Sequence, residues 1–266
     1  RKEGRVSLRL NQKYHHLRRE KMERVESLEG KTIAIVGLGK SWFEYCLAKS
    51  HGVHFDEVWA TNAVADVIFH DRVFMMDPAS RFFDTDNAGG QTDSMIRVLE
   101  KHKGPIYTCE LDDRAPGLVE YPIHEVLKDT DCYYLNNTVA YAVAFALWNK
   151  VGTIKMFGID FTYKGNLHFA ESGRACVEFW LGKCMNAGIQ VEVASSSGLL
   201  DTCIPIHEKL YGYHRLDDPL VVSVDQGGSL YATKKSNINK IRNETSYKLA
   251  DRYDSHLAEP GDPKEW

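Results

Sequence analysis

The chain has 266 residues, with 33 lysines and arginines against 37 aspartates and glutamates and a formal net charge of −4. At roughly 100–200 residues per domain, that length allows one large domain or one domain with appendages. Because 43% of the residues are hydrophobic, the chain can bury a sizeable core and is not disordered throughout. The slightly acidic balance excludes a protein whose whole surface coats nucleic acid.

The first 30 residues are polar and basic, with nine positive charges among the first 24. Sparse apolar positions predict a helix from about Asn11 to Leu28. We expect residues 1–30 to form a basic helical arm. Such an arm can bind phosphates, wrap a neighbouring subunit or simply be solvated.

From Lys31 the pattern changes to short, continuous apolar runs, which are typical of strands buried on both faces of a parallel sheet. The predicted strands are Thr32–Val36, Glu57–Ala60, Val73–Met76, Ile106–Tyr107, Ile154–Phe157 and Ile189–Val193. The predicted helices are Ser41–Lys49, Thr92–Lys101, Thr138–Asn149 and Ser172–Ala187. Alternating strands and helices indicate an α/β fold. We expect residues 31–203 to form a Rossmann-like domain with a mostly parallel sheet and helices on both faces.

Beyond Cys203 the periodicity fades and prolines and glycines break the chain, so residues 204–266 are expected to be an irregular C-terminal extension with a turn or two of helix. The six cysteines include no Cys-x-x-Cys pair, which indicates reduced core thiols in a cytoplasmic protein. No apolar run reaches the ~18–20 residues that cross a bilayer, and no secretory signal is evident, so we expect no transmembrane segment.

The first predicted strand ends in a glycine turn, Gly37-Leu38-Gly39-Lys40-Ser41, and a predicted helix follows it. Open α/β sheets bind ligands outside the carboxyl ends of their strands. Glycines let the backbone approach a ligand closely, and a helix N-terminus attracts anions. The turn matches neither the Walker A motif nor the dinucleotide fingerprint in full. It is either a phosphate site, with Lys40 adding a charge, or only a tight turn.

Polar residues follow three other predicted strands. Asn62 and Asp77 each stand at a strand end, and Asp160 follows another within Gly158-Ile159-Asp160-Phe161. Asn and Asp are common turn formers. Three of them at one edge of the sheet nevertheless predict hydrogen bonds to ribose hydroxyls and base edges.

Two further features stand near this edge. Asn136, Asn137 and Thr138 precede an alanine-rich helix, either as ordinary N-cap residues or as a second anion site. His168 lies in a polar stretch just before a predicted helix. A lone histidine is usually structural, but an imidazole at this position could accept a proton near neutral pH.

The ordered set of these motifs resembles the bacterial sialyltransferases that decorate lipooligosaccharides. The resemblance covers about Lys31 to Asp201 and includes the glycine turn, Asn62, the Gly-Ile-Asp-Phe phrase, and His168 with Glu178-Phe179 downstream. The chain also resembles uncharacterised tailed-phage proteins with the same phrases.

The resemblance to the sialyltransferases implies a metal-independent inverting glycosyltransferase with a nucleotide-sugar donor, which we expect to be a CMP-sugar, and no other cofactor. It implies that His168 is the general base. Tyr163, which stands one residue after the family's tyrosine position, or Lys40 would stabilise the negative charge that grows on the leaving group. The donor-binding residues that the resemblance implies are Gly37, Gly39, Ser41, Asn62, Asp77, Asn136, Asn137, Thr138, Gly158, Ile159, Asp160 and Phe161. Lys40, which stands where the family has a proline, is a further candidate because of its charge. The resemblance also places Ser195–Leu200 in another nucleotide-facing loop.

Two alternatives stay open on the same fold. One is a pterin diphosphokinase-like transferase, which would need ATP and a divalent metal. The other is a non-catalytic binding or assembly protein, which would suit the arm and the extension. For the glycosyltransferase, the acceptor is a glycan, or a modified DNA base if the protein is phage-encoded. We also expect a homo-oligomer.

Overall fold

The structure is a computed structural model that describes residues 22–85, 88–162, 166–212, 218, 220–224 and 227–238. The chain divides into two compact units, Arg1–Cys203 and Ile204–Trp266. Within the described ranges, no helix combines the length and apolar character needed to cross a membrane.

The first unit is built on a seven-stranded sheet whose neighbouring strands all pair in parallel. The strands are β1 (Thr32–Val36), β2 (Glu57–Thr61), β3 (Arg72–Phe74), β4 (Ile106–Thr108), β5 (Leu118–Glu120), β6 (Thr153–Phe157) and β7 (Gln190–Val193). The α-helices are α1 (Trp42–Ser50), α2 (Ser80–Phe83), α3 (Thr92–Lys101), α4 (Ile123–Thr130), α5 (Thr138–Trp148) and α6 (Leu167–Asn186). Short 3₁₀ turns cover Glu26–Leu28, Asn62–Asp66 and Leu199–Asp201.

The strand order is β5-β4-β3-β2-β1-β6-β7. From β1 the chain steps outward through β2 to β5 on one side, then returns to place β6 and β7 on the other. The point where the order reverses therefore lies between β1 and β6, where Val36 pairs with Phe157. In open α/β sheets a crevice forms at such a switch point, outside the carboxyl ends of the strands.

Both faces of the sheet are covered, as the sequence predicts. In β1, Ile33 and Ile35 pack in one core with residues of α4, α5 and α6. Ala34 and Val36 pack in a second core with residues of α1 and α3. Successive side chains of a strand point to opposite faces, so two buried faces require an unbroken apolar run. The α/β, Rossmann-like architecture with helices on both faces is confirmed.

Amide side chains set where two of the long helices begin. The Asn137 Oδ1 accepts the Ala140 N–H at 3.0 Å, which confirms the predicted N-cap of α5. The Asn166 Oδ1 accepts the Phe169 N–H at 3.2 Å and starts α6 at Leu167. Predicting this helix from Ser172 was therefore wrong by more than one turn, and His168 lies inside the helix rather than in a loop before it.

Other sequence predictions are corrected. The elements α2, β5 and α4 were not predicted, because runs of three to eight residues carry little periodicity. The predicted arm helix lies mostly outside the described residues, and its described end is irregular chain followed by the Glu26–Leu28 turn. In the second unit, α7 (Ile206–Lys209) agrees with the predicted turn or two of helix. The antiparallel hairpin of β8 (Leu220–Val224) and β9 (Leu230–Lys234) stands where irregular chain was predicted.

The prediction of core thiols holds for half of the cysteines. Cys132, Cys176 and Cys184 are buried, whereas Cys46, Cys109 and Cys203 are exposed, and all six are free thiols. Burial raises the pKa of the Cys184 thiol to about 12, so this side chain behaves as a small apolar group in the core.

A pair of histidines, His70 and His102, stands before β3 and β4, at the amino ends of these strands. It predicts that the protein is less stable in mild acid. The rings of His70 and His102 stack at 4.6 Å, and the His102 Nδ1 accepts the Gly104 N–H at 2.9 Å. Burial, and then the neighbouring His70, hold the pKa of His102 below its ordinary 6.5. As the pH falls, His102 therefore takes up its proton in the unfolded chain before it does so in the folded chain. The neutral His102 stabilises the folded protein fully above about pH 6.5, and this contribution is lost as the pH falls below that value.

We expect the urea concentration at the unfolding midpoint to decrease as the pH is lowered from about 7.5 to about 5.5. His102→Asn should make this decrease smaller, because the amide keeps an acceptor for Gly104 but does not titrate. His54→Asn, at an exposed histidine, is the control. Equal decreases in the wild type and His102→Asn would contradict the assignment.

Candidate functional site

A cleft of about 410 Å³ lies at the switch point of the sheet. Its walls come from the segments that follow β1, β2 and β6, with contributions from α5 and from the residue before α3. The lining residues are Gly37, Leu38, Gly39, Lys40, Thr61, Asn62, Gln91, Val139, Gly158, Ile159, Asp160, Phe161 and Thr162. The glycine turn and the Gly-Ile-Asp-Phe segment thus meet in one cleft, although Ser41 and Asp160 are 119 residues apart in the sequence.

The backbone of the glycine turn packs directly on the backbone of Gly158 and forms the floor of the cleft. The Gly39 N–H donates to the Gly158 carbonyl at 2.7 Å. A Cβ on Gly37 would stand 2.7 Å from the same carbonyl oxygen, and a Cβ on Gly158 would stand 2.1 Å from the Gly37 oxygen. Gly158 also has φ +66°, which L side chains rarely adopt. Glycine is required at these positions because the two turns touch.

A buried serine–aspartate contact ties the two turns together. Asp160 accepts the Ser41 N–H at 2.8 Å and the Ser41 hydroxyl at 2.5 Å, and Ser41 Oγ accepts the Gly158 N–H at 2.9 Å. The Asp160 carboxylate therefore occupies the anion position at the N-terminus of α1 that the sequence assigned to a donor phosphate. Ser41 is fully buried and lies behind the cleft wall.

Asn62 is the strained polar residue of the cleft. It stands directly after β2 with φ +54°, a left-handed conformation that is uncommon outside glycine, although asparagine adopts it more readily than most residues. Its Oδ1 atom is buried and has no hydrogen-bond partner. Buried polar atoms are nearly always paired, and backbone strain collects at ligand sites. Asn62 thus has the features of a ligand-binding residue.

The charges of the cleft are few. Among its described lining residues, the ionic side chains are Lys40, which is exposed, and Asp160, whose two oxygens accept bonds from Ser41. Thr61, Asn62 and Gln91 add neutral polar groups. The cleft therefore offers one cation and several amide or hydroxyl groups to a ligand.

Several predicted donor-binding residues lie outside the described lining of the cleft. Asp77 forms an ion pair with Arg81 after β3. Asn136 donates to Ser172 at 3.0 and 3.1 Å, and Asn137 donates to the Gly173 carbonyl at 3.1 Å. The two asparagines thus fasten the start of α5 to α6. Thr138 is the first residue of α5, and its neighbour Val139 lines the cleft.

His168 stands in the first turn of α6 and is exposed. Helix α6 packs directly on the cleft wall, because a Cβ on Gly173 would lie 2.7 Å from the Phe161 ring. His168 precedes that contact by five residues, or ~7.5 Å of helical rise. Among the described residues it does not line the cleft itself. Tyr163 lies outside the described residues.

The loop after β7 supports the cleft from behind. The Glu44 carboxylate of α1 accepts the Ser195 and Ser196 N–H groups, both at 2.8 Å, and both hydroxyls. Ser197 Oγ donates to the Ile159 carbonyl at 2.8 Å. The predicted nucleotide-facing loop thus braces the Gly-Ile-Asp-Phe segment.

Sequence reasoning missed five lining residues, which are Leu38, Thr61, Gln91, Val139 and Thr162. Leu38 and Thr162 lie within or next to segments that the sequence did single out. Thr61 directly precedes Asn62, so the rule that ligands bind at strand ends could have found it. Gln91 and Val139 reach the cleft through tertiary packing and carry no local signal.

No family model matches the chain, and no curated protein matches it. Among solved structures, the chain is similar to the sialyltransferase CstII from Campylobacter jejuni, which was determined in complex with a substrate analogue, CMP-3FNeuAc. The two are 16% identical with a TM-score of 0.44, and the match covers 82% of this chain and 99% of that one.

Proposed function

We propose that the protein is a metal-independent inverting glycosyltransferase that holds a nucleotide-sugar donor in the switch-point cleft. The observation that carries the proposal is Asn62, whose strained backbone and unpaired buried amide oxygen stand where an α/β sheet binds nucleotides. A ribose hydroxyl or an exocyclic amino group would supply the missing donor. Thr61 and Gln91 give further polar contacts.

The charges of the cleft favour a donor with a single phosphate. Lys40 is one cation, which suits the one phosphate of a CMP-sugar. Mg²⁺ bound to a triphosphate is normally held by one or two carboxylates. The described lining residues offer only Asp160, which is already bonded to Ser41. This charge pattern favours sugar transfer over diphosphate transfer from ATP.

In the proposed reaction, an acceptor hydroxyl oxygen attacks the anomeric carbon of the donor. The new carbon–oxygen bond forms as the bond from that carbon to the phosphate oxygen breaks, and the nucleotide leaves with its electron pair. The His168 imidazole takes the hydroxyl proton, and Lys40 stabilises the charge that grows on the leaving phosphate.

A melting survey tests the proposal. We expect CMP and CMP-sugars to raise the melting temperature without added metal, because a ligand at a hundred times its Kd stabilises a protein by about 2.7 kcal/mol. Stabilisation only by ATP with magnesium would identify a diphosphotransferase. No effect from any nucleotide would favour the binding or assembly protein.

Asn62→Gly separates ligand binding from folding. Glycine adopts the left-handed backbone freely, so the variant should melt at or above the wild-type temperature. Loss of one hydrogen bond, about 1–1.5 kcal/mol, should weaken CMP binding roughly tenfold. Asp131→Gly is the matched control, since Asp131 has φ +46° but caps α4 away from the cleft. Unchanged CMP binding by Asn62→Gly would contradict the role given to Asn62.

A further inference from the structure

A second pocket, of about 250 Å³, opens at the carboxyl ends of β3, β4 and β5. It is lined by Met76, Cys109, Glu120, Tyr121, Ile123, His124 and Tyr141. β2 leads to Asn62 in the cleft, and its neighbour β3 leads to Met76 in this pocket. Neighbouring strands lie ~4.8 Å apart, so one ligand-binding edge of the sheet carries both sites.

The inner wall of the pocket is aromatic and held in place. The rings of Tyr121 and Tyr141 meet edge to face at 5.0 Å, and the Tyr121 hydroxyl donates to the Tyr141 carbonyl at 3.0 Å. Tyr121 is buried, whereas Tyr141 is half-buried and lines the cavity. Met76 and Ile123 extend the apolar surface. Such a wall is preorganised for a ring-shaped ligand.

Polar groups are confined to a few positions. Glu120, the last residue of β5, brings a carboxylate, and His124 in α4 brings an exposed imidazole. Partial desolvation raises the pKa of the Cys109 thiol although the residue is exposed, so this side chain is neutral at pH 7. Binding sites for small molecules commonly combine apolar walls with a small number of such orienting groups.

We propose that this pocket binds one sugar ring of the acceptor. A pyranose has an apolar C–H face, which suits the negative face of an aromatic ring, and a rim of hydroxyls that can donate to Glu120 and bond to His124. The volume admits a single ring. The inference rests on the proposed function, since the adjoining cleft would present the donor to an acceptor held here.

Cys109 provides a reporter for the pocket, because it is exposed and lines it. The experiment follows iodoacetamide alkylation of each cysteine by peptide mass spectrometry, with methyl β-D-galactopyranoside and methyl α-D-glucopyranoside as probes. A glycoside at ten times its Kd should slow alkylation of Cys109 about tenfold. Cys46, exposed on α1, should react at an unchanged rate.

Glu120→Gln and Tyr141→Leu should each remove most of this protection, and Cys46 reactivity and melting temperature verify that the variants are folded. No protection by either glycoside, or equal protection in the wild type and both variants, would overturn the proposal. Protection of Cys109 by CMP alone would also overturn it, because the pocket would then belong to the donor. The CMP melting shift reports on the cleft separately, so a failed cleft and a failed pocket are distinguishable.

Discussion

His168→Ala should lower turnover by about 10²- to 10⁴-fold while CMP binds as tightly as to the wild type, because a single general base typically contributes that factor to the chemical step. The imidazole stands exposed in the first turn of α6 and outside the described lining of the cleft, so the donor does not depend on it for binding. Initial rates with a CMP-sugar, and calorimetry with CMP, measure the two quantities separately.

The controls separate a proton-transfer role from a general loss of structure. His168→Gln keeps a polar side chain at the helix start, but an amide cannot accept the proton. The turnover of this variant should therefore be as low as that of His168→Ala. His54→Ala, at another exposed histidine, should retain full turnover. Wild-type turnover in His168→Ala would remove the general-base assignment, and a matching loss of CMP affinity would indicate a binding role instead.

Gly158→Ala should lower the free energy of unfolding by about 2–5 kcal/mol, which combines ~1–2 kcal/mol for a left-handed alanine with ~1–3 kcal/mol for overpacking. The added Cβ would stand 2.1 Å from the Gly37 oxygen, and backbone cannot move aside as a flexible side chain can. Because the contact between Gly37 and Gly158 forms the floor of the cleft, CMP binding should be lost as well. Urea denaturation and calorimetry measure both effects.

Gly182→Ala is the matched control for this effect. Gly182 lies inside α6, and a Cβ there meets nothing within 4 Å. Alanine favours a helix interior over glycine by roughly 1 kcal/mol, so this variant should gain stability and keep CMP binding. A Gly158→Ala protein as stable as the wild type would show that the two turns do not touch in solution.

The fold was largely predictable because each long element carries its own signal. Apolar runs such as Thr32–Val36 report burial on both faces, and α3 was predicted with its observed limits, Thr92–Lys101. β5 was not predicted, because a three-residue strand has no periodicity. The start of α6 was predicted too late, because the Asn166 cap was overlooked. The hairpin β8–β9 was missed although Leu220–Val224 is rich in β-branched residues.

The site was predictable only in part. The glycine turn, Asn62 and the Gly-Ile-Asp-Phe segment meet in one cleft, because parallel strands bring their carboxyl ends to one edge. Sequence cannot show which polar groups satisfy one another. Ser41 and Asp160 form a hydrogen bond with each other, and Asn137 donates a hydrogen bond to the Gly173 carbonyl. The sequence had assigned Ser41, Asp160 and Asn137 to the nucleotide-sugar donor. Asn62 differs because its buried oxygen has no partner.

The most direct test of the nucleotide site is a crystal structure of the protein with CMP. We expect the nucleotide in the switch-point cleft, with its phosphate at Lys40 and a ribose hydroxyl or base amino group within hydrogen-bond distance of the Asn62 Oδ1. A nucleotide bound elsewhere, or a cleft that stays empty at saturating CMP, would contradict the account.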